Sequence, residues 1–275
     1  MKIFVYLFFV FLNLNAELVL EITESSDNPY RIAIHNFDGQ TSISNEISAI
    51  IKADLQRTGE FSVLSSNDLL EEEAYQEELN YKNYRLLGVD YILKGKIDSK
   101  DKMNITVSYD IYDSVKERKI RSSKIYGIPN KTRQLAHYVS DGIYEEITGL
   151  KGISSTKMLY VSEDVAGSAK AYKLMLADAD GMNEQILLKS NSAIISPSWS
   201  PDSKEIAYVS FETGLAKVFI QNIATGSREV AVKNKYQISS PAFSPDGKFL
   251  SLTLYQDGNA EIYILNLENK NLTRL

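Results

Sequence analysis

The stretch SPSWSPDSKEIAYVS (196–210) recurs, slightly altered, as SSPAFSPDGKFLSLTL (239–254). Trp199 matches Phe243, Pro201 matches Pro245, Asp202 matches Asp246 and Lys204 matches Lys248, each pair 44 positions apart. A strand-rich period of about 40–45 residues is the length of one four-stranded propeller blade. One blade cannot bury both of its faces, so such units make sense only when stacked about an axis. A second mark runs at the same period. VFIQNIATG (218–226) lies 44 residues before IYILNLENK (262–270), and KLMLADADG (173–181) lies 45 before the first of these. Each is an alternating apolar run that ends in a turn-forming cluster. Ser244-Pro245-Asp246-Gly247 has the residues of a tight turn. Proline presets φ, aspartate bonds nearby backbone and glycine accepts φ > 0. Ser203 replaces that glycine in the earlier copy, so a turn of another type is expected there.

The whole chain has 275 residues, room for about two domains. Its 44% hydrophobic and 24% charged content is that of a globular protein. A net charge of −6 argues against nucleic acid or an anionic membrane as the main partner. With no cysteine, disulfides and thiolate metal sites are excluded. Residues 1–16 read as a signal peptide. Met1-Lys2 precedes the 12-residue apolar run IFVYLFFVFLNL (3–14), and Asn15-Ala16 follows. The run is shorter than the roughly 20 residues that span a bilayer. Cleavage after Ala16 leaves Glu17 first, although Leu14 is large for the −3 position; an uncleaved anchor is the alternative. No later run is long enough to cross a membrane, so an exported, soluble chain that does not itself span the membrane is expected.

Residues 17–28 (ELVLEITESSDN) alternate up to Ile22 and read as a short strand or an extended arm. RIAIHNF (31–37) is a buried-strand candidate. Ile47, Ile50, Ile51 and Leu55 fall at helical spacing within 45–58, and Gly59 is placed to end that helix. A second, acidic helical stretch is expected over 69–87, broken near Asn80 and stopped at Gly88. VDYILKGKI (89–97) is apolar on both sides of its alternation, as a central strand would be. MNITVSYDIY (103–112) sets Met103, Ile105, Val107, Tyr109 and Ile111 on one face and Asn104, Thr106, Ser108 and Asp110 on the other. That alternation predicts one covered face and one solvated face. ERKIRSSKIYG (117–127) is a third strand, and a helix over 130–148 carries Leu135, Val139, Ile143 and Ile147 on one face. The sum is an α+β layer over 29–150, one sheet with helices on one side. The segment GLKGISS (149–155) is small and polar enough to be a hinge. Residues 151–275 form the blades.

Motifs of catalysis are missing. There is no G-x-S-x-G elbow, H-E-x-x-H helix or phosphate-binding loop. His35 and His137 are the only histidines, and both read as structural or surface residues. Asp178-Ala179-Asp180-Gly181 starts like a calcium loop, but Met182, Gln185 and Leu188 fail the remaining ligand positions, so it reads as a blade turn. Glu71-Glu72-Glu73 reads as a solvated helix face. Trp199 reads as packing between blades. No catalytic residue, metal ligand or cofactor is expected.

Four segments together resemble the TolB family of the Tol–Pal system of Gram-negative envelopes. They are IIKADLQRTGEF (50–61), YRLLGVDYILKGKI (84–97), HYVSDGIYEEITGLKGISSTKMLYVSE (137–163) and ADADGMNEQILLKSNSAIISPSWSPDSKEIAYVSFETG (177–214). The resemblance implies a non-catalytic periplasmic protein with an N-terminal α/β domain and a six-bladed propeller. It implies that the propeller binds the lipoprotein Pal and that the first mature residues bind TolA, in support of outer-membrane integrity and constriction at division. Other envelope proteins are further partners to consider. The TolA-binding arm corresponds here to Glu17, Leu18, Val19, Leu20, Glu21, Ile22 and Thr23. An alternating extended segment suits addition to the edge of a partner sheet. The loops that bind Pal are too diffuse to transfer, and none is assigned.

Only about three periods fit in 151–275, whereas a closed ring takes about 4–8 blades. The expectation is therefore an incomplete propeller, about three of six blades, from a fragment or a truncated gene. The competing reading is the propeller portion of an exported serine peptidase whose catalytic domain is missing from this chain; a third is a propeller that binds a small ligand or a cation.

Overall fold

The computed structural model describes residues 28–65, 68, 75, 78–99, 103–166, 169–256 and 258–275. The expected signal peptide, almost all of the arm, the Glu71–Glu73 cluster and most of the first part (69–77) of the helical stretch expected over 69–87 lie outside the described residues.

Strand β1 (Tyr30–Ile34) leads to helix α1 (Thr41–Arg57), then β2 (Phe61–Val63), α2 (Tyr81–Leu86), β3 (Tyr91–Asp98), β4 (Ile105–Asp113), β5 (Arg118–Gly127) and α3 (Thr132–Thr148). They form a five-stranded sheet in the order β2-β1-β3-β4-β5. β1 runs parallel to β2 and β3, while β3-β4-β5 is an antiparallel meander. The apolar-on-both-sides run at 89–97 is the central strand, as its pattern requires.

The helices form where apolar residues recur at 3.6-residue spacing. Ile47, Ile51 and Leu55 of α1 and Leu135, Val139 and Ile143 of α3 are buried against Ile32, Ile34, Leu93 and Val107 of the sheet. Both helices end at a left-handed glycine, Gly59 (φ 74) and Gly149 (φ 75), which lets the chain leave without Cβ strain.

Three expectations are corrected. The sheet is not covered on one side alone: Tyr84 of α2 packs with Ala33, Val89 and Ile92 on the face opposite α1 and α3. Consequently the polar face of β4 is not solvated, and Ser108 and Asp110 are buried. Asp110 accepts from Lys119 Nζ at 2.7 Å and from Ser122, so its charge is met inside the protein. Burial opposes that charge, but these donors hold its carboxyl below the usual range. Met103 lies before β4 and is exposed. The strand β2 adds to the expected elements; its three residues are too few to show a period.

The second half contains three sheets. The first is β6 (Lys157–Ala166), β7 (Ala169–Asp178) and β8 (Gln185–Ser190). The second is β9 (Ile194–Trp199), β10 (Glu205–Ser210), β11 (Lys217–Asn222) and β12 (Arg228–Lys233). The third is β13 (Gln237–Phe243), β14 (Phe249–Gln256), β15 (Asn259–Asn266) and β16 (Leu272–Arg274). Each pairs antiparallel in chain order, as propeller blades do. Apolar clusters sit between them. Leu174, Ile206, Tyr208 and Phe219 join the first blade to the second. Val209, Val218, Leu250 and Leu252 join the second to the third. Trp199 packs half-buried in the first of these seams, as expected.

The two repeat turns are the same turn. Ser200 Oγ and Ser244 Oγ donate to Asp202 and Asp246 at 2.7 and 2.6 Å. The same hydroxyls accept from the N–H groups of Glu205 and Phe249 at 2.9 and 3.0 Å. Ser203 (φ 58) adopts the left-handed conformation of Gly247 (φ 69), so no other turn type arises. The side-chain network outweighs the local cost of a Cβ in that region, about 1–2 kcal/mol. Both preceding strands also carry a left-handed serine before proline, Ser196 (φ 51) and Ser240 (φ 53), at a register shift. A bulge is where a sheet tolerates proline.

Ser203→Gly is expected to stabilise the protein by about 0.5–1 kcal/mol, whereas Gly247→Ala costs about 1–2 kcal/mol. Chemical denaturation reads both, and equal losses in the two variants would contradict a shared turn. Trp199→Ala is expected to cost about 2–3 kcal/mol, below the range for a fully enclosed tryptophan. A change of a few tenths would show that the blade seam does not depend on it.

Candidate functional site

Asp54 lies on the apolar stripe of α1, four residues after Ile50 and three after Ile51. Its carboxylate is therefore carried into the interior, where an unpaired charge costs several kcal/mol. His137 answers it. This residue lies on the buried side of α3, next to Ala136, and its Nδ1 is 2.7 Å from Asp54 Oδ2. Ser140 Oγ donates to the same oxygen at 2.9 Å, and Arg57 Nη1 donates to Asp54 Oδ1 at 3.0 Å. Burial opposes the charge of Asp54, but His137, Ser140 and Arg57 together hold its carboxyl below the usual range.

The far side of the imidazole meets the propeller. His137 Nε2 is 3.8 Å from Asp180 Oδ2, in the turn between β7 and β8. Arg133, one helical turn before His137, donates through Nη2 to Asp180. Its Nε is 4.0 Å from Asp178 Oδ2. Asp178 also accepts from Lys157 and, at 2.6 Å, from Asn183. Burial again works against the carboxylate, and Lys157 and Asn183 hold Asp178 below its ordinary value. A line of polar and charged side chains thus runs from α1 through α3 into the first blade. A cleft of about 640 Å³ opens beside it, lined in part by Thr132, Arg133, His137, Asp178 and Asn183.

The segment after α3 is held by the same helix. Asp141 accepts from the N–H groups of Ser154 and Ser155 at 2.7 and 3.0 Å. Gly152 passes so close to Asp141 that a Cβ there would overlap it. Residues 149–155, expected as a hinge, are strapped to α3 in this arrangement.

Of the site residues expected from the sequence, Glu17, Leu18, Val19, Leu20, Glu21, Ile22 and Thr23 lie outside the described residues. The structure brings together His137 and Asp180, which the sequence gives no reason to connect. Asp180 does lie in a blade turn, closed by Gly181 N donating to Asp178 O at 2.9 Å. Asp54 and Lys157 lie in segments that carry the family resemblance, which gives them no role there, and Arg133 lies outside those segments. For Asp54 a signal exists, since a carboxylate at helical spacing within an isoleucine stripe must have a buried partner. His35 is structural, its Nε2 2.7 Å from Tyr84 Oη beneath α2.

Among the described residues, no helix is long and apolar enough to cross a membrane. The architecture is an α+β domain followed by an incomplete β-propeller, joined through buried charges. The TolB amino-terminal domain family matches residues 18–120, and the TolB beta propeller domain family matches 144–275. This chain belongs to the TolB family.

It is 40% identical over 215 residues to the Tol-Pal system protein TolB of Alcanivorax borkumensis, covering 78% of this chain and 49% of that protein. It is 36% identical over 216 residues to the protein of that name from Xanthomonas oryzae pv. oryzae, with the same coverage. The crystal structure of TolB from Acinetobacter baumannii superposes with a TM-score of 0.84 at 35% identity, covering 92% of this chain and 62% of that one. The chain spans about half the length of the relatives it matches in sequence.

Asp54→Asn is expected to destabilise the protein by about 3 kcal/mol, because it removes the buried carboxylate that His137, Ser140 and Arg57 are arranged to meet. The pH dependence has a definite sign. Asp54 and Asp178 have folded-state values below their unfolded ones. Their contribution is complete above about pH 4 and is lost as pH falls through the folded values. Thermal melts from pH 7 to 3 are expected to fall steeply below about pH 4, and less steeply in Asp54→Asn. Identical slopes would mean that Asp54 carries no depressed carboxyl.

Proposed function

We propose that this chain is a non-enzymatic component of the Tol–Pal system. It is exported to the periplasm by a cleavable leader at residues 1–16. The arm, 17–28, binds TolA through Glu17–Thr23, and the blades, 151–275, bind Pal, with the α+β layer at 29–150 between them. In this role it supports outer-membrane integrity and constriction during division.

The observation that carries the reading is the order of the two family matches, a TolB amino-terminal domain ahead of TolB blades. A peptidase propeller gives no reason for the first of them. The chemistry of the one serine–histidine–aspartate grouping described above supports a non-catalytic role. Ser140 and His137 both bond to Asp54, at 2.9 and 2.7 Å. A nucleophilic serine instead needs the histidine itself as its base. Ser140 is also fully buried.

Strand addition suits the arm because alternate side chains face the partner while the backbone completes its sheet. Removal of residues 17–28 is expected to abolish capture of the TolA C-terminal domain. The melting transition and any capture of Pal should be unchanged. TolA recovered equally by the shortened chain would overturn the arm assignment, and loss of the melting transition would show that the arm belongs to a core.

A further inference from the structure

We propose that the junction of α3 with the β7–β8 turn is a zinc-type divalent-cation site. His137 Nε2 and Asp180 supply its protein ligands, and Asp54 orients the imidazole from the other nitrogen. The inference does not depend on the functional reading above and departs from the sequence expectation that no metal ligand is present.

Three acidic or histidine side chains meet here. Asp54, His137 and Asp180 bring ligand-capable atoms within 4.8 Å of one another, the grouping of this kind found among the described residues. His137 is 3% exposed, and its Nε2 has no hydrogen-bond partner. Nε2 lies 3.8 Å from Asp180 Oδ2, an oxygen that also accepts from Arg133 Nη2, and no hydrogen bond closes the gap between ring and carboxylate. A proton is a poor fit, because 3.8 Å exceeds the roughly 2.7–3.2 Å reach of a hydrogen bond. A metal fits better. Zinc bonds of about 2.0–2.1 Å at a tetrahedral angle place two ligand atoms about 3.3–3.4 Å apart, a few tenths of an ångström from the separation found.

The surroundings agree. Asp54 engages Nδ1 at 2.7 Å, so Nε2 is the ring nitrogen left for a metal, which binds a neutral imidazole through its lone pair. A carboxylate behind a ligating imidazole is the usual support for such a nitrogen. Arg133 donates to Asp180 through Nη2, and its Nε, 4.0 Å from Asp178 Oδ2, has no hydrogen-bond partner, so a bound cation would have to share the Asp180 carboxylate with Arg133 or displace it. The adjoining cleft admits water to the remaining positions. Asp178 adds negative charge at a position that Asn222 and Asn266 occupy in the other two blades. One nitrogen with few oxygens favours zinc over calcium, which takes about 6–8 oxygen ligands. Its ligands come from both halves of the chain, so the bound ion would tie the α+β layer to the first blade.

The test uses the full chain, stripped with a chelator and titrated with zinc chloride by calorimetry, with calcium chloride as the comparison. Binding of about one zinc per chain is expected, with a rise in the melting temperature and no heat from calcium. Because His35 and His137 are the only histidines, ring-nitrogen NMR assigns the ligand directly. The Nε2 resonance of His137 should move, and that of His35 should not. Asp180→Asn should weaken binding by at least about tenfold. Glu184→Gln, on the cleft rim, should leave it unchanged. Absence of zinc heat, unaltered affinity in Asp180→Asn, or a shift confined to His35 would each overturn the proposal. The NMR result on the unmodified chain stands even if a variant fails to fold.

Discussion

A carboxylate removed from water must be met by charge or by donors, and Asp54 imposes that requirement at the centre of this protein. It sits in an isoleucine stripe that exists to bury α1. The helix cannot pack on the sheet without taking Asp54 inside, where desolvation costs several kcal/mol. His137 and Ser140 of α3 meet it, which fixes how α3 lies beside α1. The demand is then passed outward. The imidazole faces Asp180, Asp180 takes Arg133, and Asp178 takes Lys157. The two halves meet where one buried charge is compensated in steps rather than across a purely apolar interface.

The blades follow a different logic. Their repeated serine–proline–aspartate turns satisfy their own polar groups, and leucine and valine rows fill the space between sheets. Such units recur with little change because each meets only copies of itself. The first blade must also meet α3, and its sequence departs from the others there. Strand pairing equates Asp178 with Asn222 and Asn266, at 44-residue steps. The following turn is one residue shorter, which explains the 45-residue spacing between Gly181 and Gly226. Asn222 and Asn266 accept turn N–H groups at 3.0 and 3.1 Å, whereas Asp178 takes Lys157 and faces Arg133. The repeat is altered where its neighbour differs.

Elements are legible in the sequence in proportion to how many periods they contain. α1 and α3 run 17 residues each and show several turns of apolar spacing. α2 has 6 residues and β2 has 3, too few for either period to declare itself. The alternation of β4 locates the strand but misleads about its second face, because Ser108 and Asp110 are buried there. Ser203 misleads for a related reason. Backbone preference alone favours glycine there, yet a serine hydroxyl and an aspartate define the turn whichever residue occupies the left-handed position.

Periodicity could reveal which side of each element turns inward and how many blades the chain holds, since helix and strand geometry write themselves directly into residue spacing. It could not pair Asp54 with His137, 83 positions away, or set Asp180 against the opposite face of that ring. Ion pairs between distant segments leave no period behind. They exist only once two separately formed layers have docked, and the docking angle that brings a blade turn onto α3 follows from the packing of the whole.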